Sequence, residues 1–150
     1  MPMDKILAVC IGNICRSPTA EALLRRLLPE AKIWSAGLAA LVGQTADPLA
    51  QAVARERQLD LSAHRAQQLA GWMCTDADLI LVMDSSQRQE IERLYPYARG
   101  KVHCLGIAKP GQPPDDIADP YRKGLDAFET AYQHIDLGAR QWAQRIKRLG

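Results

Sequence analysis

The sequence predicts an α/β protein: one domain over residues 1–150, with a parallel sheet of about four strands, helices on both faces and an anion-binding loop after strand one. Three observations carry that expectation. Ile6–Val9 and Leu79–Met83 are short, unbroken apolar runs of the kind a parallel sheet buries on both faces. They alternate with amphipathic stretches of helical period, which implies crossover connections and a parallel sheet. No linker, repeat or low-complexity segment divides the chain.

The elements follow in order. The first strand ends at Val9 and runs into the loop Cys10-Ile11-Gly12-Asn13-Ile14-Cys15-Arg16. A helix begins near Ser17, with Pro18 in its first turn, where a missing N–H costs nothing. Ala20, Leu23, Leu24, Leu27 and Leu28 form its buried stripe. Ile33-Trp34 reads as a short second strand entering Ser35-Ala36-Gly37, and Leu38–Ala46 as a loop. Asp47 caps a helix with Pro48 at its first position, and Leu49, Ala52 and Val53 are expected to face inward. Leu79–Met83 is the strongest strand and is expected at the sheet centre. A helix over about 86–95 should pack through Ile91 and Leu94, and Lys101–Leu105 is the last strand. Residues 109–119 contain Pro110, Pro113 and Pro114 and read as a long irregular loop. The final helix, about 124–148, should bury Leu125, Phe128, Tyr132, Ile135, Ala139, Trp142 and Ile146.

Bulk properties narrow the function. A hydrophobic content of 47% and a charged content of 24% are those of an ordinary globular chain. A net charge of +2 does not suggest a nucleic-acid partner. No apolar run reaches 18 residues, and Met1–Val9 carries Asp4, so neither membrane insertion nor a signal peptide is expected. Cys10, Cys15, Cys74 and Cys104 lack Cys-x-x-Cys spacing, and His103 abuts Cys104 without ligand spacing. The expectation is therefore no metal, no cofactor, and free thiols in a reducing cytoplasm. Cys15 shares a loop with Cys10, so it is either a reversible disulfide partner or simply a small loop residue.

The loop itself carries the chemistry. Cys10 and Arg16 lie six residues apart at a helix N-terminus, where backbone N–H groups cradle anions. A thiol beside an arginine at such a terminus is favoured as the thiolate. Arg16 offers a planar fork that grips two oxygens of a tetrahedral oxyanion. Gly12 permits close backbone approach, Asn13 tolerates the left-handed conformation, and the Ser17 hydroxyl can donate toward the sulfur. There is no Gly-Lys-Ser/Thr, which excludes a nucleotide-type phosphate loop. The late loop carries Asp115, Asp116 and Asp119, of which only Asp119 precedes a proline; the residues alone do not rank them as acids.

Val9–Glu21, VCIGNICRSPTAE, resembles the phosphate-binding loop of the low-molecular-weight protein tyrosine phosphatases. The similarity extends through Ser35-Ala36-Gly37-Leu38, Ala63-His64 and Asp119-Pro120-Tyr121-Arg122-Lys123. Residues 38–43 and the Tyr121-Arg122-Lys123 continuation look most like the bacterial branch linked to exopolysaccharide and capsule export. The resemblance implies Cys10 as nucleophile, Arg16 as oxyanion holder and Asp119 as general acid and base. It implies phosphate binding by Ile11, Gly12, Asn13, Ile14, Cys15, Arg16 and Ser17, and a supporting network of Asn13, Ser17, Ser35 and His64. Ile14, Leu41 and Tyr121 are the expected walls of a phenyl slot; His103 and His134 are read as structural. The implied partner is a phosphotyrosine protein, such as a bacterial tyrosine autokinase, acted on by a monomer without metal.

Rival readings meet specific obstacles. A thiol-dependent arsenate reductase needs two relay cysteines near Cys10, whereas Cys74 and Cys104 are thirty residues apart. A protein arginine phosphatase favours a small threonine where Ile14 stands. A non-catalytic phosphotyrosine-binding module would not need Cys10, Arg16 and Asp119 together.

Overall fold

The computed structural model describes residues 3–149; residues 1, 2 and 150 of the expected 1–150 domain, including the start of the Met1–Val9 segment, lie outside it. Strands β1 (Lys5–Cys10), β2 (Lys32–Gly37), β3 (Leu79–Val82) and β4 (Val102–Cys104) form a four-stranded sheet. Helices α1 (Arg16–Leu27), α2 (Pro48–Glu56), α3 (Gly71–Asp76), α4 (Ser85–Leu94) and α5 (Leu125–Leu149) complete the fold. The order is β2-β1-β3-β4 and every pairing is parallel, so β1 and β3 are central.

Alternation along β1 explains the two covered faces. Ile6, Ala8 and Cys10 join a core with Leu79, Leu81 and the inner faces of α1, α2 and α5. Leu7 and Val9 join Ile80, Val82 and residues of α3 and α4 on the opposite side. From β1 the chain crosses to one neighbour, β2, and later returns to the other, β3. The carboxyl end of β1 is thus the point where the winding reverses, and crevices open there. The Cys10–Arg16 loop leaves the sheet at that point.

Some expectations shift. Strand β2 continues through Ser35-Ala36-Gly37, because Ala8, Val9 and Cys10 of β1 pair with those residues. Asp47 caps α2, accepting from the Leu49 N–H at 2.9 Å, but the helix turns Ala50, Val53 and Ala54 inward and leaves Leu49 and Ala52 half-buried. The α5 helix packs against α2 and selects that face. Leu94 and Leu125 are exposed, since each lies at a helix end that projects past the core. Leu27 is half-buried while Leu28, at the end of α1, is buried. The remaining expected stripe of α5 is buried.

Candidate active site

The loop after β1 is built by its carbonyls. The Cys10 C=O accepts from Leu38 N–H at 3.0 Å, Ile11 from Ala39 at 2.9 Å, and Gly12 from Leu41 at 3.1 Å. The Asn13 C=O meets His64 Nε2 at 2.6 Å, Ile14 accepts from Asp47 N–H at 2.8 Å, and Cys15 from the Thr19 hydroxyl at 3.0 Å. Every carbonyl from Cys10 to Cys15 is therefore held by a group outside the loop. A trans peptide directs its C=O and the next N–H to opposite sides, and no cis peptide occurs among the described residues. Outward carbonyls turn the N–H groups of residues 11–16 toward the opposite, concave side. Gly37 lets this packing close: a Cβ there would collide with the Ile11 carbonyl oxygen.

Asn13 sets the turn, at φ 59°. Its Oδ1 accepts the Gln67 N–H at 2.9 Å, and its Nδ2 donates to Ser17 Oγ at 2.8 Å and Ser35 Oγ at 3.0 Å. Ser35 donates to Glu21 Oε1 at 2.6 Å, so its oxygen must serve Asn13 as acceptor, which fixes the amide orientation. The Ser17 oxygen likewise takes an Asn13 hydrogen, and the same hydroxyl lies 2.9 Å from Cys10 Sγ, a hydrogen bond in which either atom can donate. Because a carbonyl can only accept, His64 carries a proton on Nε2. Ser17 does not cap α1; the cap is Cys15, and the hydroxyl is committed to this network.

Arg16 is 3% exposed. Its Nη1 donates to the Ile117 carbonyl at 2.7 Å, and Asp84 Oδ2 stands 3.7 Å from the same nitrogen. Its Nη2 lies 3.6 Å from Asp119 Oδ2, while the Nε is buried without a hydrogen-bond partner among the described residues. Asp119 is about half exposed, its Oδ1 accepting the Tyr121 N–H at 3.1 Å. Asp116, by contrast, accepts from Ser85 N–H at the start of α4, and neither it nor Asp115 lines the cleft. Burial, then the charge of Asp47 and the neighbouring Cys10 and Asp119, pushes the Cys15 thiol well above the ordinary range. It therefore stays protonated and is a poor nucleophile.

Cys10, Ile11, Gly12, Ile14, Cys15, Arg16, Ala39, Leu41, Asp119, Tyr121 and Arg122 enclose a cleft of about 350 Å³. The structure thus brings the three expected catalytic side chains and all three expected wall residues to one cavity. Sequence reasoning missed Glu21, Thr19, Gln67, Asp84, Ala39 and Arg122. Among the described residues no cluster of three or more His, Cys, Asp or Glu side chains could hold a metal ion, and no helix is long and apolar enough to cross a membrane.

Comparison with known proteins agrees with this geometry. The family described as low molecular weight phosphotyrosine protein phosphatase matches residues 5–149. The chain belongs to that family. Its enzyme class is accordingly protein tyrosine phosphatase, with cysteine-based chemistry. It is 52% identical over 145 residues to the probable low molecular weight protein-tyrosine-phosphatase EpsP of Ralstonia nicotianae, covering 97% of each chain. It is 47% identical to Wzb of Escherichia coli K12, covering 95% of each. The structure of Vibrio vulnificus Wzb in complex with benzylphosphonate superposes with a TM-score of 0.89 at 46% identity, covering 95% of this chain and 99% of that one.

Proposed function

We propose that the cleft hydrolyses phosphotyrosine through a phosphocysteine on Cys10. The observation that carries the mechanism is the outward hold on every carbonyl from Cys10 to Cys15, which leaves a ring of N–H groups for the equatorial oxygens of a phosphoryl group. The buried Arg16 Nε, with no acceptor among the described residues, fits one of those oxygens. The Cys10 thiolate attacks phosphorus in line, and the P–O bond to the phenol breaks as Asp119 delivers its proton to the departing oxygen. Asp119, now a carboxylate, takes a proton from the water that attacks the phosphocysteine, releasing phosphate and the thiolate. Ser17 supports the thiolate at 2.9 Å, and Asn13, Ser35 and His64 hold the loop in its turn. No step requires a metal, because the amides and Arg16 carry the developing charge.

Ile14, Leu41 and Tyr121 supply apolar sides for a flat phenyl ring. An isoleucine at position 14 crowds a charged guanidinium, which favours phosphotyrosine over phosphoarginine. The substrate we propose is an accessible phosphotyrosine tail on a bacterial tyrosine autokinase of exopolysaccharide or capsule export, met in the cytoplasm by a monomer of residues 1–150. The resemblance to the export-linked branch, with relatives named EpsP and Wzb, supports this.

The test is aryl-phosphate turnover of wild type, Cys10→Ser and Asp119→Asn with a chelator present. Wild type is expected to turn over unaffected by the chelator. Cys10→Ser should abolish turnover yet still bind inorganic phosphate; appreciable residual activity would refute the covalent route. Side-by-side assays of phosphotyrosine and phosphoarginine peptides decide the leaving group.

A further inference from the structure

We propose that Arg122 reads a second anionic group in the phosphorylated chain, one or two residues from the phosphotyrosine that enters the cleft. This rests on the phosphotyrosine activity proposed above and concerns which phosphotyrosines are preferred.

Arg122 lines the same cleft as Cys10 and Arg16, but from the exposed rim rather than the floor. The floor has its own cation: Arg16 is buried there, its Nε without a hydrogen-bond partner among the described residues. Arg122 makes no hydrogen bond or ion pair among the described residues, whereas the other arginine of the cleft, Arg16, stands within 4 Å of both Asp84 and Asp119. Its nearest acid in sequence is committed elsewhere, since one Asp119 oxygen accepts the Tyr121 N–H and the other faces Arg16. The Arg122 guanidinium instead lies 5.1 Å from the centroid of the Tyr121 ring. Stacking of this kind restrains the planar group while leaving its N–H donors at the edge available.

The backbone adds a second observation. Three non-glycine residues among those described have positive φ: Asn13, Gln58 and Arg122. Asn13 is fixed by its side-chain network, and Gln58 follows the end of α2, where left-handed residues are common. Arg122, at φ 63°, is the third residue of the turn closed by the Lys123 N–H to the Pro120 carbonyl at 2.9 Å. Glycine or asparagine would suit that backbone with less strain, so the long cationic side chain is held at a conformational cost.

An extended peptide advances roughly 3.4 Å per residue, so a group one or two residues from the phosphotyrosine falls within the span of an arginine side chain at the rim. The shared chemistry is a compact oxyanion, either a carboxylate or a second phosphate.

The experiment compares kcat/KM for three phosphotyrosine peptides: one with neutral flanks, one with glutamate at the flanking positions, and one with a second phosphotyrosine. Wild type, Arg122→Gly and Arg122→Lys are assayed; Arg122→Gly suits the positive φ, so folding is not at issue. Wild type is expected to prefer the anionic peptides by about fivefold, chiefly through KM, with the preference fading at high salt. The ratio should fall to about one in Arg122→Gly and lie between in Arg122→Lys. A gain for glutamate, for the second phosphate, or for both identifies the source and supports the proposal. A wild-type ratio of one, or a ratio retained in Arg122→Gly, overturns it. Failure of wild type to hydrolyse even the neutral peptide and a small aryl phosphate would instead overturn the activity on which it rests.

Discussion

Two loops meet in one cleft and are held in opposite ways. From Cys10 to Cys15 every carbonyl has an outside donor, and Asn13 adds side-chain bonds in several directions. The loop carrying Asp119 is tied more sparsely. Asp115 N–H bonds Ile107, Ile117 N–H bonds Met83, Asp116 reaches Ser85, and Arg16 grips the Ile117 carbonyl. Beyond Ile117, Asp119 is held through its side chain by its own turn and by Arg16 at ion-pair distance. The difference matches the two tasks we propose for them. An oxyanion is stabilised best by dipoles that need no rearrangement, whereas a proton must be delivered by a carboxylate that substrate and water can reach.

Arg16 joins the two loops, donating to the Ile117 carbonyl and standing 3.6 Å from Asp119, and Arg16→Lys should break both at once. The fork to the phosphate and the bond to Ile117 are lost together, so turnover should fall by roughly 10³ or more, with weaker phosphate binding. Steady-state kinetics with phosphate inhibition measures both. Asp119→Ala sharpens the comparison, because it should lower turnover by roughly 10²–10⁴ while leaving phosphate inhibition and thermal stability nearly unchanged. Asn13→Ala is the converse. An alanine at φ 59° and the stranded partners Ser17, Ser35 and Gln67 should cost about 2–4 kcal/mol in urea unfolding and weaken phosphate binding about tenfold. Cys15→Ala should do least, lowering turnover by less than about tenfold, since the thiol it removes is held protonated.

Much of this was legible in the residues. The apolar runs located β1 and β3, and the Gly-Asn loop with Arg-Ser-Pro located the loop that lines the cleft. Ser35 and His64 were reachable only through resemblance, because nothing local to either marks a contact with Asn13. The shell around the loop was not legible for a different reason. Leu38, Ala39 and Leu41 act through backbone N–H groups, which any non-proline residue supplies. Glu21 reads as an ordinary helix-surface acid, and only the pairing of β1 with β2 brings Ser35 to it. Leu94 and Leu125 fit their helical stripes, yet periodicity does not say where a helix outruns the core it packs on.

The arrangement of amides is the claim on which the chemistry depends, and it can be observed directly. Backbone N–H resonances of the protein should be followed by NMR as inorganic phosphate is added. The N–H signals of Ile11 to Arg16 are expected to shift most, together and with one affinity. If those signals stay still while phosphate binds, the loop does not present its amides to the anion and the account is wrong.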